Sequence, residues 1–549
     1  MKAHLSTPAM LAASAGATAT HAPCNIATIK SLLPNDTRVF YANHYAENGT
    51  FALNETLNYG AFAAPHATSS YTVPKAACYV QANITLPEST QHSVGIVLPD
   101  EWNGRFMAVG NGEFAGSIGW ADIIDASWSG FAAVSSDLGH EGNNGSFAYH
   151  NQASLENWGW RALHDAVVNG KEVTKGYYGE EISYSYYRGC SAGGKQGLKE
   201  VEMFPDDFDG VIAGAPAWWT THLQLWVVAT GIWNYPETAP GYLNSSHLEA
   251  LNEEVLRQCD PQDGVKDNII MDPRRCVFRP ETLLCDPTSS TNNATTCLTA
   301  AQIETVNKLH SDWYTANDTF VFPGYTLGTE SGWSSTGPTA DFVTYIQYMM
   351  QLGSSWTWED WNEEELIALS DKLNPGNATA NDFDLSPFYN KGGKLLHYHG
   401  FTDPSIATGS SIYFYEHVAQ TLAPKGITLD DWYRFFLVPG MEHCEMTPSN
   451  MNAPWYFNGD GQNTALSSTE DVRGVPGYQD AKHDVLRAIM AWVENGTAPD
   501  AIVATKFVND DPAQGVDRQR PLCPYPDVAV YDGEGDVDEA ASWKCTGLY

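Results

Sequence analysis

Tyr186-Tyr187-Arg188-Gly189-Cys190-Ser191-Ala192-Gly193-Gly194-Lys195 contains a complete G-x-S-x-G pattern. An aromatic β-type run precedes it and a helical pattern follows, which is the setting of a nucleophile elbow. Small residues at 189 and 193 let a strand turn sharply into a helix and leave the Ser191 hydroxyl exposed on a strained corner. The competing reading is a glycine-rich β–α turn whose serine only caps the helix.

A serine hydroxyl becomes a nucleophile when a base takes its proton and an acid orients that base. In the α/β-hydrolase arrangement the chain order is Ser, then Asp or Glu, then His, with both partners on loops after strands. The strand-like run Lys394–His399 is followed by Gly400-Phe401-Thr402-Asp403-Pro404, and Arg434–Val438 by Pro439-Gly440-Met441-Glu442-His443-Cys444. Asp403 and His443 are therefore the predicted acid and base. His397 and His399 are rival bases, but they lie within or at the edge of a strand and read as packed or wall residues. Asp382 and Asp384 are rival acids with no strand before them. Cys190 precedes the predicted nucleophile and Cys444 follows the predicted base. A disulfide between them would hold their Cα atoms about 4.4–6.8 Å apart and bring Ser191 and His443 together.

Further strands are expected at Ser93–Leu98, Arg105–Val109, Phe131–Ser135, Ser183–Tyr187 and Gly210–Ala213, with helices at Asn157–Lys175, Gly194–Met203 and Tyr478–Glu494. Strands alternating with helices predict an α/β fold with a mainly parallel sheet. The stretch 216–390 breaks that alternation. It holds nine of the 18 tryptophans and four cysteines, and reads as a domain inserted between two parts of the catalytic domain, 20–215 and 391–549.

The 549 residues carry 66 acidic against 29 basic side chains, a net charge of −37. Such a charge repels phosphate backbones and anionic lipid, so no nucleic-acid or membrane partner is expected. At 43% hydrophobic the chain can build a large core, which excludes a natively unfolded acidic protein. Ten cysteines fit an oxidising compartment. Lys2, the apolar stretch around Met10-Leu11-Ala12-Ala13 and Ala17-Thr18-Ala19 read as a secretion signal, 1–19, cleaved after Ala19. Glycosylation sequons stand at Asn35, Asn48, Asn54, Asn83, Asn144, Asn244, Asn293, Asn317, Asn377 and Asn495. A secreted, extracellular glycoprotein is expected, its oligomeric state open.

With Cys190-Ser191, Asp403 and His443-Cys444 in place, the sequence resembles the secreted fungal tannase and feruloyl esterase family. The resemblance extends to Trp102-Asn103-Gly104-Arg105-Phe106, to Gly110-Asn111-Gly112-Glu113-Phe114-Ala115-Gly116 and to Arg520-Pro521-Leu522-Cys523-Pro524-Tyr525-Pro526. It implies an α/β-hydrolase fold with a large lid between nucleophile and acid, and a serine carboxylic-ester hydrolase acting on phenolic acid esters, free or linked to polyphenol or polysaccharide. The tetrahedral oxyanion requires preorganised donors. Ala192 N–H is one, and the resemblance supplies Gly112 N–H as the other. The family often has a further glycine where Glu113 stands.

Asp260-Pro261-Gln262-Asp263-Gly264-Val265-Lys266-Asp267-Asn268-Ile269 departs from EF-hand spacing, yet three carboxylates among backbone carbonyls suit a hard cation. An Asx-rich turn is the plain alternative. The resemblance implies a structural lid Ca2+ held by Asp260, Asp263 and Asp267 with the carbonyls of Val265 and Ile269, and no organic cofactor. It also implies the pairs Cys24–Cys78, Cys259–Cys276, Cys285–Cys297 and Cys523–Cys545, which the sequence alone does not select. Trp218, Trp219, Trp226, Trp356, Trp358 and Trp361 offer an aromatic platform or, more simply, core. Within that family, Leu395-Leu396-His397-Tyr398-His399-Gly400 with Asp403-Pro404-Ser405-Ile406 resembles the tannases more than the feruloyl esterases, which implies a slight preference for galloyl esters. Feruloyl esters are the alternative, and a non-catalytic polyphenol- or carbohydrate-binding glycoprotein is the reading from another class.

Overall fold

The computed structural model describes residues 21–52, 70–286, 296–468 and 472–547. The expected signal, 1–19, and the sequons at Asn54 and Asn293 lie outside the described residues. Nine strands form the main sheet: β1 Arg38–Tyr45, β2 Ala77–Thr85, β3 Gln91–Pro99, β4 Arg105–Val109, β5 Ala132–Ser136, β6 Tyr184–Cys190, β7 Gly210–Gly214, β8 Lys394–Gly400 and β9 Tyr433–Val438. Their order is β1-β2-β3-β5-β4-β6-β7-β8-β9. Every pair from β5 to β9 is parallel, while β1, β2, β3 and β5 pair antiparallel. All seven stretches expected to be strands are strands. β1 and β2 lie outside the stretches expected to be strands; with them the sheet is mixed, but five of its eight pairings are parallel, in keeping with the mainly parallel sheet expected. β1 alternates exposed and half-buried residues at an edge, a weak signal beside the continuous apolar runs of central strands.

Alternation along each strand divides its side chains between two cores. Phe106 and Ala108 enter one, Met107 and Val109 the other. Helices α2 Ala162–Tyr178 and α3 Ala192–Met203 cover the first face. Helices α1 Trp120–Trp128 and α9 Val485–Asn495 cover the second. The helix expected from Tyr478 begins only at Val485, because the Asp484 side chain accepts from Leu486 N–H and Arg487 N–H and fixes the start. The helix expected from Asn157 opens with a π-helical turn, Asn157–Arg161.

Between β7 and β8 the chain adds no strand to the main sheet among the described residues. It forms α4 Thr220–Trp233, α5 Ser245–Cys259, α6 Ala300–His310, α7 Glu363–Leu373 and a small hairpin, Trp313–Tyr314 with Phe320–Phe322. Trp218, Trp226 and Trp356 are buried in the core that α2 and α3 also share. The insertion thus packs onto the sheet domain through a common core. After it, α8 Gly409–Leu422 follows β8, and two antiparallel hairpins lie past α9. No described helix is long and apolar enough to cross a membrane.

Candidate active site

Strand β6 ends at Cys190 and α3 starts at Ala192, so Ser191 is the corner between them. Its φ of 62° lies in the left-handed region, where a serine is strained. Its side chain makes no capping hydrogen bond to the helix, which leaves the hydroxyl unspent and disfavours the helix-cap reading. Close packing explains the flanking glycines. A Cβ on Gly189 would stand 2.7 Å from the Gly193 carbonyl carbon, and one on Gly194 2.3 Å from the Gly214 oxygen.

Asp403 lies on the loop after β8 and is fully buried. His443 Nδ1 donates to its Oδ2 at 2.7 Å, and His399 Nε2 contacts the same oxygen at 2.9 Å. Oδ1 accepts from the N–H groups of Ser405 and Ile406 at 2.8 and 2.9 Å. Burial alone would raise this carboxyl. The facing His443 and the two imidazole contacts outweigh burial and hold it well below the usual range. For His443 burial acts downward, but the Asp403 charge and hydrogen bond, helped by Glu445 and Glu113, raise its pKa above the ordinary histidine value. His397 is enclosed by Tyr433 and Ser411 at 2.8 Å each, and burial pushes it far down, so it is a neutral core residue. Asp384 pairs with Lys425 at the surface and Asp382 is exposed, so neither rival acid joins the site.

A disulfide joins Cys190 to Cys444 with Cα atoms 6.0 Å apart, across a separation of 254 residues. Ser191 and His443 line one cavity of about 550 Å3. Ala192 and Gly112 line it too, Ala192 at the N-terminus of α3 where backbone N–H groups are free of helical partners. The turn carrying Gly112 is braced against α3: Asn111 N–H donates to Gln196 Oε1 at 3.0 Å, and Gln196 Nε2 donates to Asn111 Oδ1 at 3.1 Å. Glu113 adopts φ 47°, the glycine-like conformation, and its carboxylate accepts from Asn143. Apolar walls come from Phe114, Trp158, Leu223, Val227, Phe342 and Ile406. None of the six tryptophans singled out in the insertion lines the cavity. Trp158 does, from the π-helical turn, a position that strand and helix periodicity does not flag.

Beneath Ser191 lies a buried ionic group absent from the sequence reading. Arg188 donates to Asp125 at 3.0 Å and stands 3.4 Å from Asp460 Oδ1, while Asp460 Oδ2 accepts from Cys190 N–H at 3.1 Å. Asp122, Asp460 and Glu445 all reach the cavity. Burial, then the Asp460 charge, pushes Asp122 and Glu445 each up to about 7. Lys195, over the Trp158 ring at 4.7 Å, is lowered to about 7 by burial and by Lys199.

The lid loop after α5 fits a hard cation. Asp260 and Asp263 each spend one oxygen on loop backbone, accepting from Asp267 N–H at 3.0 Å and Val265 N–H at 2.9 Å. Asp263 Oδ2 is buried with no hydrogen-bond partner among the described residues. Burial raises that carboxyl to about 6, and the charges of Asp267 and Asp260 add to it. Asp267 also meets Arg520 at 2.7 Å. The three carboxylates alone do not bring one oxygen each within 4.8 Å of the others, so a cage there needs the carbonyls of Val265 and Ile269.

The other four disulfides are Cys24–Cys78, Cys259–Cys276, Cys285–Cys297 and Cys523–Cys545, leaving no free thiol. Asn35, Asn48, Asn144, Asn317, Asn377 and Asn495 are exposed. Asn83 and Asn244 are half-buried, and the Asn244 side chain is engaged in capping α5.

A family model described as tannase and feruloyl esterase matches residues 81–346 and 348–546. The chain is 37% identical over 472 residues to a probable feruloyl esterase B-1 of Aspergillus oryzae, covering 85% of this chain and 83% of that one. It is 34% identical to a probable feruloyl esterase B-2 of Aspergillus terreus, covering 87% of both. The crystal structure of feruloyl esterase B from Aspergillus oryzae superposes with a TM-score of 0.84 at 34% identity, over 95% of this chain and all of that one. Tannin acyl hydrolase from Aspergillus niger shares the fold at a TM-score of 0.72 and 21% identity, over 95% of each chain.

Proposed function

The chain belongs to the tannase and feruloyl esterase family of carboxylic ester hydrolases and acts on phenolic acid esters, and on that premise we propose that Ser191, His443 and Asp403 carry out the reaction. The observation that carries this reading is His443 held on Asp403 at 2.7 Å while the Cys190–Cys444 bridge ties its loop to the nucleophile corner. Ser191 attacks the ester carbonyl as His443 Nε2 takes its proton. Asp403 keeps the proton of His443 on Nδ1 and stabilises the imidazolium. The N–H groups of Ala192 and Gly112 receive the oxyanion. His443 then protonates the leaving alcohol, and water activated by the same base releases the phenolic acid and frees Ser191. Ser191→Ala is expected to abolish hydrolysis of a chromogenic aryl ester. Unchanged turnover would refute the assignment and favour a binding protein.

For the acyl group, a hydroxycinnamoyl such as feruloyl is the better reading. The relatives at 34–37% identity are described as probable feruloyl esterases, whereas the tannin acyl hydrolase stands at 21%. The Leu395–Ile406 run leans toward galloyl esters, and the apolar wall of Trp158, Phe114 and Phe342 suits either aromatic ring. Comparing kcat/KM on methyl ferulate and methyl gallate decides: a higher value on gallate would restore the galloyl reading.

The lid loop holds a structural Ca2+, which would neutralise Asp263 and Asp267 and fix the loop between Cys259 and Cys276. Metal analysis before and after chelation tests this, and calcium-free native protein would exclude it. Five disulfides and six exposed sequons support secretion and glycosylation. A mass unchanged by deglycosidase on protein secreted from a eukaryotic host would argue against the glycans.

A further inference from the structure

We propose that His164, Glu200 and Asp207 form a second metal site, for a first-row transition cation such as Zn2+, on the face of the sheet covered by α2 and α3. His164 lies in the first turn of α2, Glu200 in the last turns of α3, and Asp207 in the loop leading to β7. One ligand atom from each falls within 4.8 Å of the other two, the only such trio of side chains among the described residues. His164 Nδ1 stands 2.9 Å from Asp207 Oδ2 and 3.8 Å from Glu200 Oε2. Ligands bonded at about 2.0–2.2 Å to one ion are spaced in that range.

These atoms lack the geometry of an ordinary hydrogen-bonded ion pair. His164 Nδ1, Glu200 Oε2 and Asp207 Oδ2 are all buried, and none has a hydrogen-bond partner among the described residues. At 2.9 Å the His164–Asp207 contact is within hydrogen-bond distance but lacks hydrogen-bond geometry, and the three atoms gather within 4.8 Å of one another. Glu200 is 2% exposed. The His164 ring stacks on Phe204 with centroids 3.5 Å apart and planes 9° apart, which fixes where Nδ1 points. Lys171 Nζ is 3.6 Å from Asp207 Oδ1 and bonds its carbonyl, so it engages the other carboxylate oxygen and leaves Oδ2 to the cluster.

One imidazole with two carboxylates suits zinc, cobalt or manganese and is a poor set for calcium, which takes oxygen ligands. Three protein ligands leave positions for water. None of the three residues lines the catalytic cavity. The ion would instead tie α2 to the far end of α3, the helix that starts at the nucleophile corner, and so act on rigidity.

The test uses the full chain without a histidine tag, stripped with chelator and resaturated with Ca2+ so that the lid loop does not compete. Calorimetric titration with Zn2+ is expected to give one saturable site per chain, and Co2+ a visible absorption band. His164→Gln and Asp207→Asn should each weaken Zn2+ by at least about tenfold and remove the Co2+ band, while Ser191→Ala binds as the unaltered protein does. Absence of saturable Zn2+ binding to the unaltered chain would overturn the proposal and leave a protonated His164 clamped by two carboxylates. Binding of equal strength in both variants would also overturn it, since the metal would then sit elsewhere.

Discussion

Asp403 accepts from two imidazoles and two backbone N–H groups while fully buried, so each donor helps set the charge that orients His443. His399 is the donor whose removal leaves the loop backbone intact. Its Nδ1 meets Ser411 at 2.7 Å, which holds the ring toward Asp403. His399→Leu is expected to lower kcat about tenfold, roughly 1.4 kcal/mol, with KM little changed. A KM effect alone would refute this positioning role. Glu445 has a second residue-level effect. Its negative charge raises the His443 pKa, and a protonated His443 cannot accept the serine proton, so activity falls as pH drops through that pKa. Glu445→Gln removes that charge, lowers the His443 pKa and moves the acidic limb of the kcat/KM profile to lower pH. A limb that moves upward would contradict the sign. Neither residue's role is legible in the sequence. His399 reads as a strand residue because the fold of the 403–406 turn, which brings Asp403 back onto it, leaves no periodic trace.

At the scale of elements, the site is a strand-to-helix corner joined to a distant loop by one covalent bond. The corner is legible because glycine spacing reports close approach: Gly189 and Gly194 pack where a Cβ would clash, and Gly193 lies tight against Gly110 and Asn111. The Cys190–Cys444 bridge is legible because each cysteine adjoins a candidate catalytic residue. Arg188, Asp125 and Asp460 are not, since their meeting beneath the corner depends on long-range packing between residues 335 positions apart (460 − 125). β1 and β2 are missed for a related reason, as their antiparallel pairing at the sheet edge follows from the fold more than from local pattern. The bridge carries the element-level prediction. With both cysteines changed to alanine, the 439–446 loop loses its tether to β6, and kcat/KM should fall at least a hundredfold, about 2.7 kcal/mol. The melting transition should remain cooperative, because four other disulfides and the shared core persist. Full activity in the double variant would show that packing alone places His443.

Across the whole molecule, the net charge of −37 conceals where the acids matter. Composition treats 66 carboxyls alike, whereas burial singles out a few beside the active cavity. Asp122 and Glu445 have pKa values near 7, well above those of an unfolded chain. A carboxyl whose folded pKa is raised binds its proton more tightly when folded. Its contribution to stability is fully present below the unfolded pKa of about 4 and is lost as pH rises toward 7. General repulsion among excess carboxylates acts in the same direction. Asp403 opposes this only at the acid end, because its depressed pKa contributes stability that disappears as pH falls below about 4. Stability should therefore peak in mildly acidic solution, with the thermal midpoint rising from pH 8 to pH 5 and falling again below pH 4. Calorimetric scans at fixed ionic strength check this. Asp122→Asn should flatten the rise between pH 5 and 8, because the amide removes one titrating group without changing its size. A midpoint that climbs with pH over that range would mean that paired, depressed carboxylates such as Asp403 outweigh the buried ones at the cavity.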